Sequence, residues 1–146
     1  MRKIGHRQAY PLSLVTATQI VTDRAVVIGN AANGLHPVAA QGFNLGLRDV
    51  AALAETLVDD AQADGDPGKP ELLQAYANWR QDDQRKVVDF TDGLIRLFGV
   101  SGEAASALRG FSLSAFDVLP PVKRELARQT MGLSGRMSRL ARGRSL

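Results

Sequence analysis

Apolar and polar positions divide the chain into a short β-like front and a long helical remainder. Ala25-Val26-Val27-Ile28 is a brief, β-branched apolar run with the length of a buried strand, and it stops at Gly29 and Asn30. Asn33-Gly34 carries turn chemistry. His36-Pro37 is a rigid step, because the residue before a proline is held extended. From about Gly42 the apolar period becomes helical, with Leu47, Val50, Ala51, Ala54, Leu57 and Val58 on one face and Arg48, Asp49 and Glu55 off it. The pattern predicts a strand, a glycine-containing loop and a helix from about Gly42 to Ala63.

Upstream, Ala9 to Val15 (Tyr10, Leu12, Leu14) reads as a weak strand with Pro11 near its edge, and Thr16 to Thr22 alternates loosely as the start of another. So few strands without partners do not make a stable sheet. Downstream, Gly65-Asp66-Pro67-Gly68 breaks the first helix and Pro70-Glu71 opens a second. Its stripe is Leu72, Tyr76, Trp79, Val87, Phe90, Leu94 and Leu97, interrupted by Asp83. Tyr76 and Trp79 read as core, and Arg80, Asp82, Asp83, Arg85 and Lys86 as a solvated face of mixed charge. After Gly99 to Gly102, a third stripe (Ala104, Leu108, Phe111, Ala115, Val118) runs to Pro120-Pro121. A fourth helix is expected from Val122 to Met131, ended by Gly132, Ser134 and Gly135.

The absence of cysteine excludes disulfides and thiolate metal sites. His6 and His36 are the only histidines and have no ligand spacing with a second His or Glu, so no metal site is expected. The longest apolar run is far short of the about 18 residues a membrane span needs, and no apolar stretch follows Met1-Arg2-Lys3 as in a secretory signal. The net charge of +3 is unevenly placed: Asp59, Asp60, Asp64 and Asp66 crowd the middle, while Arg136, Arg139, Arg142 and Arg144 crowd the end. That basic end reads first as a solvated terminus and second as an electrostatic contact for nucleic acid or anionic lipid.

The candidate chemistry lies in the strand–loop–helix. Asn30 puts a short amide at a strand end, where ligand hydroxyls could meet it. Gln41 to Asn44 open the helix, so their N–H groups lack intrahelical acceptors and carry the positive end of the dipole. Gly42 lets a planar ligand approach the backbone. The same spacing also suits a plain tight connection with an Asn turn. Gly29 to Gly34 has the spacing of a phosphate loop, but Leu35-His36 stands where Lys-Ser/Thr is required, and that reading fails. His36 has a reference pKa suited to acid–base work; anchoring the loop is the alternative role.

These residues also carry a family resemblance. Gly29-Asn30-Ala31-Ala32-Asn33, Pro37, Ala40-Gln41-Gly42-Phe43-Asn44, Gly46 and Asp49 resemble the second flavin motif of the flavoprotein aromatic hydroxylases, the para-hydroxybenzoate hydroxylase-like monooxygenases, in their ubiquinone-biosynthesis branch. Asn30 replaces the usual Asp, Asn33 the usual His, and Ala40 the first glycine of Gly-x-Gly. The likeness runs from Ala9-Tyr10-Pro11-Leu12 through Ala54-Glu55-Thr56-Leu57 to Thr91-Asp92 and Leu97-Phe98. No Gly-x-Gly-x-x-Gly occurs in these 146 residues, so the resemblance is to the C-terminal part of such an enzyme, inactive by itself.

The resemblance implies an α/β fragment: partial substrate-domain strands over 1–22, the C-terminal half of a Rossmann-like FAD-binding domain over 23–65, a helical region over 66–135 and a basic tail over 136–146. It implies FAD as cofactor and NAD(P)H as reductant. Gly29, Asn30 and Ala31 would sit by the ribityl chain, Pro37 and its loop beside the reactive ring, and Gln41, Gly42, Phe43 and Asn44 at the pyrimidine edge. If the position of Ala40 needs φ > 0, its side chain costs on the order of 1 kcal/mol relative to glycine. The implied substrates are a polyprenylated phenol and O2, with no nucleic acid. Other ubiquinone-biosynthesis proteins, a membrane surface and a second copy stay open as partners, and a cytoplasmic protein at the inner face of the membrane is the implied location. The alternatives are another flavoprotein of the same fold, or a non-catalytic helical interaction or membrane-surface module over 70–146.

Overall fold

The computed structural model describes residues 5–11, 13–37, 40–63, 65–133 and 135–146. Met1 to Ile4 and Leu12 of the expected N-terminal segment, Asp64 of the acidic cluster and Ser134 lie outside them, as do the side chains of Ala104 and Ala115. The chain runs β1 (Val15–Thr16), β2 (Val21–Thr22), β3 (Ala25–Val26), β4 (Asn33–Gly34), α1 (Gln41–Ala61), α2 (Pro70–Gly99), α3 (Glu103–Val118) and α4 (Pro120–Thr130). Single 3-10 turns occupy Gly29–Ala31 and Leu140–Arg142.

The strands form two antiparallel pairs. β2 and β3 make a hairpin with Val21 opposite Val26 and Thr22 opposite Ala25, and it turns through Asp23 at φ +38°. β1 pairs with β4, Thr16 facing Asn33. Three expectations are corrected here. The 25–28 run is strand only at Ala25–Val26 and is half-buried at best, because one ladder partner covers one side of it. Asn33-Gly34 is a ladder segment; the turn falls earlier, at Gly29, whose φ of +62° glycine adopts without strain. Upstream, strand structure among the described residues is limited to Val15–Thr16 and Val21–Thr22, so the expected Ala9–Val15 strand is strand only at its last residue and Thr16–Thr22 only at its two ends.

The helices follow the local punctuation. α1 starts at Gln41 after Ala40 in the left-handed region (φ +51°, ψ +26°), the case in which alanine is strained. α2 starts on Pro70, and α4 starts on Pro120 rather than at the expected Val122, since proline suits a first helical turn. α1 packs against α2 along Leu45, Asp49, Ala52 and Glu55 on one side and Leu73, Tyr76, Arg80, Gln84, Val87 and Thr91 on the other.

This interface reverses the expected faces. Asp49 and Glu55 point inward, while Leu47 and Val50 are 58% and 48% exposed. Arg80, expected in solvent, is 3% exposed, and the stripe of α2 is turned by one residue, leaving Leu72, Trp79, Phe90 and Leu94 half-buried and Leu97 exposed. The reason is charge pairing: Asp49 of α1 meets guanidinium and amide groups of α2, Glu55 meets Arg136 and Arg139 of the C-terminal segment, and a buried charge is tolerated only when so paired. Asp83, which interrupts the apolar stripe, is half-buried and bound by Arg48 and Arg80. Leu108, Phe111 and Val118 of α3 are exposed rather than core.

Two ties close the structure. The Arg24 guanidinium in the hairpin turn grips Asp66 through paired hydrogen bonds of 2.6 and 2.7 Å and holds the Asp66 carboxyl down to about 2. The basic end is not a solvated tail. Arg136 lies over the Trp79 ring, 3.8 Å from its centroid, and its carbonyl accepts the indole N–H at 3.1 Å. The Arg139 amide donates to Glu55, its guanidinium pairs with Asp59, and Ser138 is buried.

Candidate functional site

The loop between β3 and α1 and the first turns of α1 enclose an open crevice of about 350 Å³. The 3-10 turn at Gly29–Ala31 puts Asn30 on the lip. α1 rises beneath it, presenting Gly42, Phe43, Gly46, Leu47 and Val50 at helical i, i+1, i+4, i+5 and i+8 spacing. Ile28 and Gly29 complete the wall.

Two glycines permit this geometry. A Cβ on Gly46 would stand 3.2 Å from the Gly29 Cα, so helix and turn approach backbone to backbone. A Cβ on Gly42 would meet the Asn30 amide oxygen at 3.4 Å, so that amide oxygen lies directly over the helix's first turn. Ala40, which precedes α1, offers no side-chain cap, and the first-turn N–H groups lack intrahelical acceptors. A polar rim, unpaired N–H groups and an apolar floor are what a planar, polar-edged ring with a hydroxylated chain requires. The residues present therefore fit a flavin nucleotide.

Of the sequence-predicted site residues, Gly29, Asn30, Gly42 and Phe43 come together at the crevice. Ala31, Pro37, Gln41 and Asn44 do not line it. Gln41 is buried and turned away, donating from Nε2 to the Thr130 carbonyl at the end of α4 (3.1 Å), which leaves only its backbone for a ligand. His36 is half-buried, and among the described residues no hydrogen bond orients its ring. Ile28, Gly46, Leu47 and Val50 were not singled out as site residues. The sequence places Ile28 in a buried strand, Leu47 and Val50 on the apolar face of the helix, and Gly46 in the motif without a site role.

Beside the crevice lies a buried ion network. Asp49, fully buried, accepts from Arg80 Nε at 2.8 Å and Gln84 Nε2 at 3.2 Å. Arg80 Nη2 donates to Asp83 at 2.7 Å, and Asp83 accepts from Arg48 Nη1 at 2.7 Å. Burial lowers the Arg48 pKa from its ordinary value. Burial opposes the charge on Arg80 too, but its hydrogen bond to Asp49 and the charges of Asp83 and Asp49 prevail and raise its pKa. Burial, then the Asp49 charge, pushes the Tyr76 hydroxyl up, so it stays neutral.

A turn that sets an amide over the first turn of a helix suits a nucleotide ligand. The family model described as an FAD binding domain matches residues 2–91, and this chain belongs to that family. Among curated proteins it is similar to the ubiquinone hydroxylase UbiL of Rhodospirillum rubrum, 40% identical over 146 residues, which covers 98% of this chain and 34% of the relative. The ubiquinone hydroxylase UbiM of Neisseria meningitidis is 35% identical, over 90% of this chain and 29% of its own length. The mitochondrial ubiquinone biosynthesis monooxygenase COQ6 of Caenorhabditis elegans is 38% identical, over 80% of this chain and 26% of its own. The resemblance carried by Gly29 through Asp49 is thus borne out, as is the α/β fragment of an FAD-binding domain followed by helices. The chain spans about a third of the length of the first of these relatives.

Proposed function

We propose that Ile28 to Val50 are the flavin-contacting turn and helix of an FAD-dependent monooxygenase that hydroxylates a polyprenylated phenolic ring in ubiquinone biosynthesis. The observation that carries this reading is the Asn30 amide poised over Gly42 at the opening of α1. Bound FAD, reduced by NAD(P)H, supplies the chemistry that lets one oxygen atom of O2 enter the ring.

The chain's own residues bind and orient. The Asn30 amide both donates and accepts, which suits ribityl hydroxyls better than an acceptor-only carboxylate. The first-turn N–H groups of α1 favour negative charge at the pyrimidine edge of the ring. Phe43, Leu47 and Val50 keep water off the apolar floor. For the ring position, the proposal follows the sequence's resemblance to 2-octaprenyl-6-methoxyphenol hydroxylase. It extends to the use of NADH or NADPH, association with other ubiquinone-biosynthesis proteins or a second copy, and a cytoplasmic location at the inner face of the membrane. A second reading, a helical interaction module, draws support from the exposed Leu108, Phe111 and Val118 of α3.

The test uses the complete natural polypeptide that carries these residues. With FAD, a nicotinamide reductant, isotopically heavy O2 and a short-chain polyprenylated phenol, one heavy oxygen atom should enter the ring. FAD binding with no hydroxylation of any phenol in a prenylated series would contradict the substrate class; no FAD binding would contradict the whole reading.

A further inference from the structure

Asp49 is a buried carboxylate that the proposed flavin contact does not itself use. It lies on α1 one turn beyond Gly46, where the helix already presses on Gly29 at backbone distance. Its Oδ1 takes Arg80 Nε at 2.8 Å and Gln84 Nε2 at 3.2 Å, while its Oδ2 takes the backbone N–H of Gly29 at 3.4 Å. Gly29 is the left-handed residue that begins the 3-10 turn carrying Asn30. An anion buried here needs compensation, and the alternating row Asp49–Arg80–Asp83–Arg48 supplies it, two carboxylates against two guanidiniums. Arg80 and Gln84 both belong to α2, which has no residue at the crevice.

We infer that Asp49 is a positioning residue: clamped by Arg80 and Gln84, it fixes the Gly29–Asn30 turn, aims the Asn30 amide into the crevice, and so couples the packing of α2 to cofactor affinity. This rests on the flavin reading of Asn30. An amide cannot take its place. With one oxygen accepting from Arg80, the other terminus of an asparagine would point N–H against the N–H of Gly29, donor against donor.

The experiment is a double-mutant cycle on FAD affinity, read by flavin fluorescence in the complete natural polypeptide. Asp49→Asn should weaken FAD binding about tenfold when Asn30 is present, the equivalent of losing one buried charged hydrogen bond. In an Asn30→Ala background it should weaken binding less than about twofold, because no amide remains to be aimed. In the ligand-free protein, amide hydrogen exchange at Gly29 should speed up in Asp49→Asn. Equal loss in both backgrounds, or no loss in either, overturns the inference, since a general packing role gives the same factor with or without Asn30. Should Asp49→Asn fail to fold, Arg80→Lys enters the same cycle, keeping a charge on Asp49 but losing the fork to Asp83. It should weaken binding about threefold with Asn30 and leave it unchanged without, and additivity again overturns the inference. If the unaltered polypeptide binds no FAD, the flavin reading falls and takes this inference with it. If it binds FAD and the cycle is additive, only the positioning role falls.

Discussion

Ala40 sits in the left-handed region at φ +51°, ψ +26°, directly before the first residue of α1. A Cβ there crowds the following carbonyl, a strain glycine lacks, so Ala40→Gly should stabilise the protein by about 1 kcal/mol in chemical denaturation. A neutral or destabilising result would mean that the backbone relaxes out of that conformation in solution. The substitution at the family's first glycine was legible in the sequence, and its conditional cost with it. The sign could not be settled there, because no residue type declares its own φ. Asn30 is a mixed case: the sequence puts it at the end of a strand, whereas the strand stops at Val26 and Asn30 stands in the 3-10 turn Gly29–Ala31, with its oxygen over Gly42.

At the scale of elements, helix limits were readable and helix faces were not. Proline and glycine punctuate locally, so α1 over Gln41–Ala61 and α2 over Pro70–Gly99 fall close to the expected bounds. Which face turns inward depends on Asp49 meeting Arg80, 31 residues away, and hydrophobic periodicity carries no sign of such pairs. The loop between these helices offers a pH test. Asp66 is held at about 2, below its ordinary 3.8, so its tie to Arg24 contributes fully above 3.8 and is lost as pH falls through about 2. Asp66→Asn should therefore lower the melting temperature slightly near about pH 6, and the difference from the unaltered protein should shrink toward about pH 2.5. A difference constant with pH would contradict the pairing. The C-terminal segment is the other tie. Removing residues 136–146 strips the buried Glu55 of Arg139 and Arg136, and should cost about 1–3 kcal/mol of stability.

Across the whole molecule, the same pairing changes the electrostatic reading of the chain. With Arg136 and Arg139 engaged by Trp79, Glu55 and Asp59, Arg142 and Arg144 are the arginines of the basic end that carry no ion pair among the described residues, worth about 1 kcal/mol each near a charged leaflet. Sedimentation with anionic vesicles should accordingly show weak, salt-sensitive binding that drops modestly when 136–146 are removed; strong binding that ignores both salt and truncation would place the membrane contact elsewhere. The crevice leaves apolar side chains open for a ligand to cover, since Phe43 is 79% exposed beside Leu47 and Val50. Flavin contact through Asn30 is the claim on which the rest depends, and the most direct measurement is FAD affinity of the complete natural polypeptide with and without Asn30→Leu. Replacing the amide by an apolar group of similar size should weaken FAD binding by roughly 1–3 kcal/mol, the consequence of leaving polar partners unmet, while the melting temperature of the cofactor-free protein stays nearly unchanged. Undiminished FAD affinity in Asn30→Leu would contradict the account.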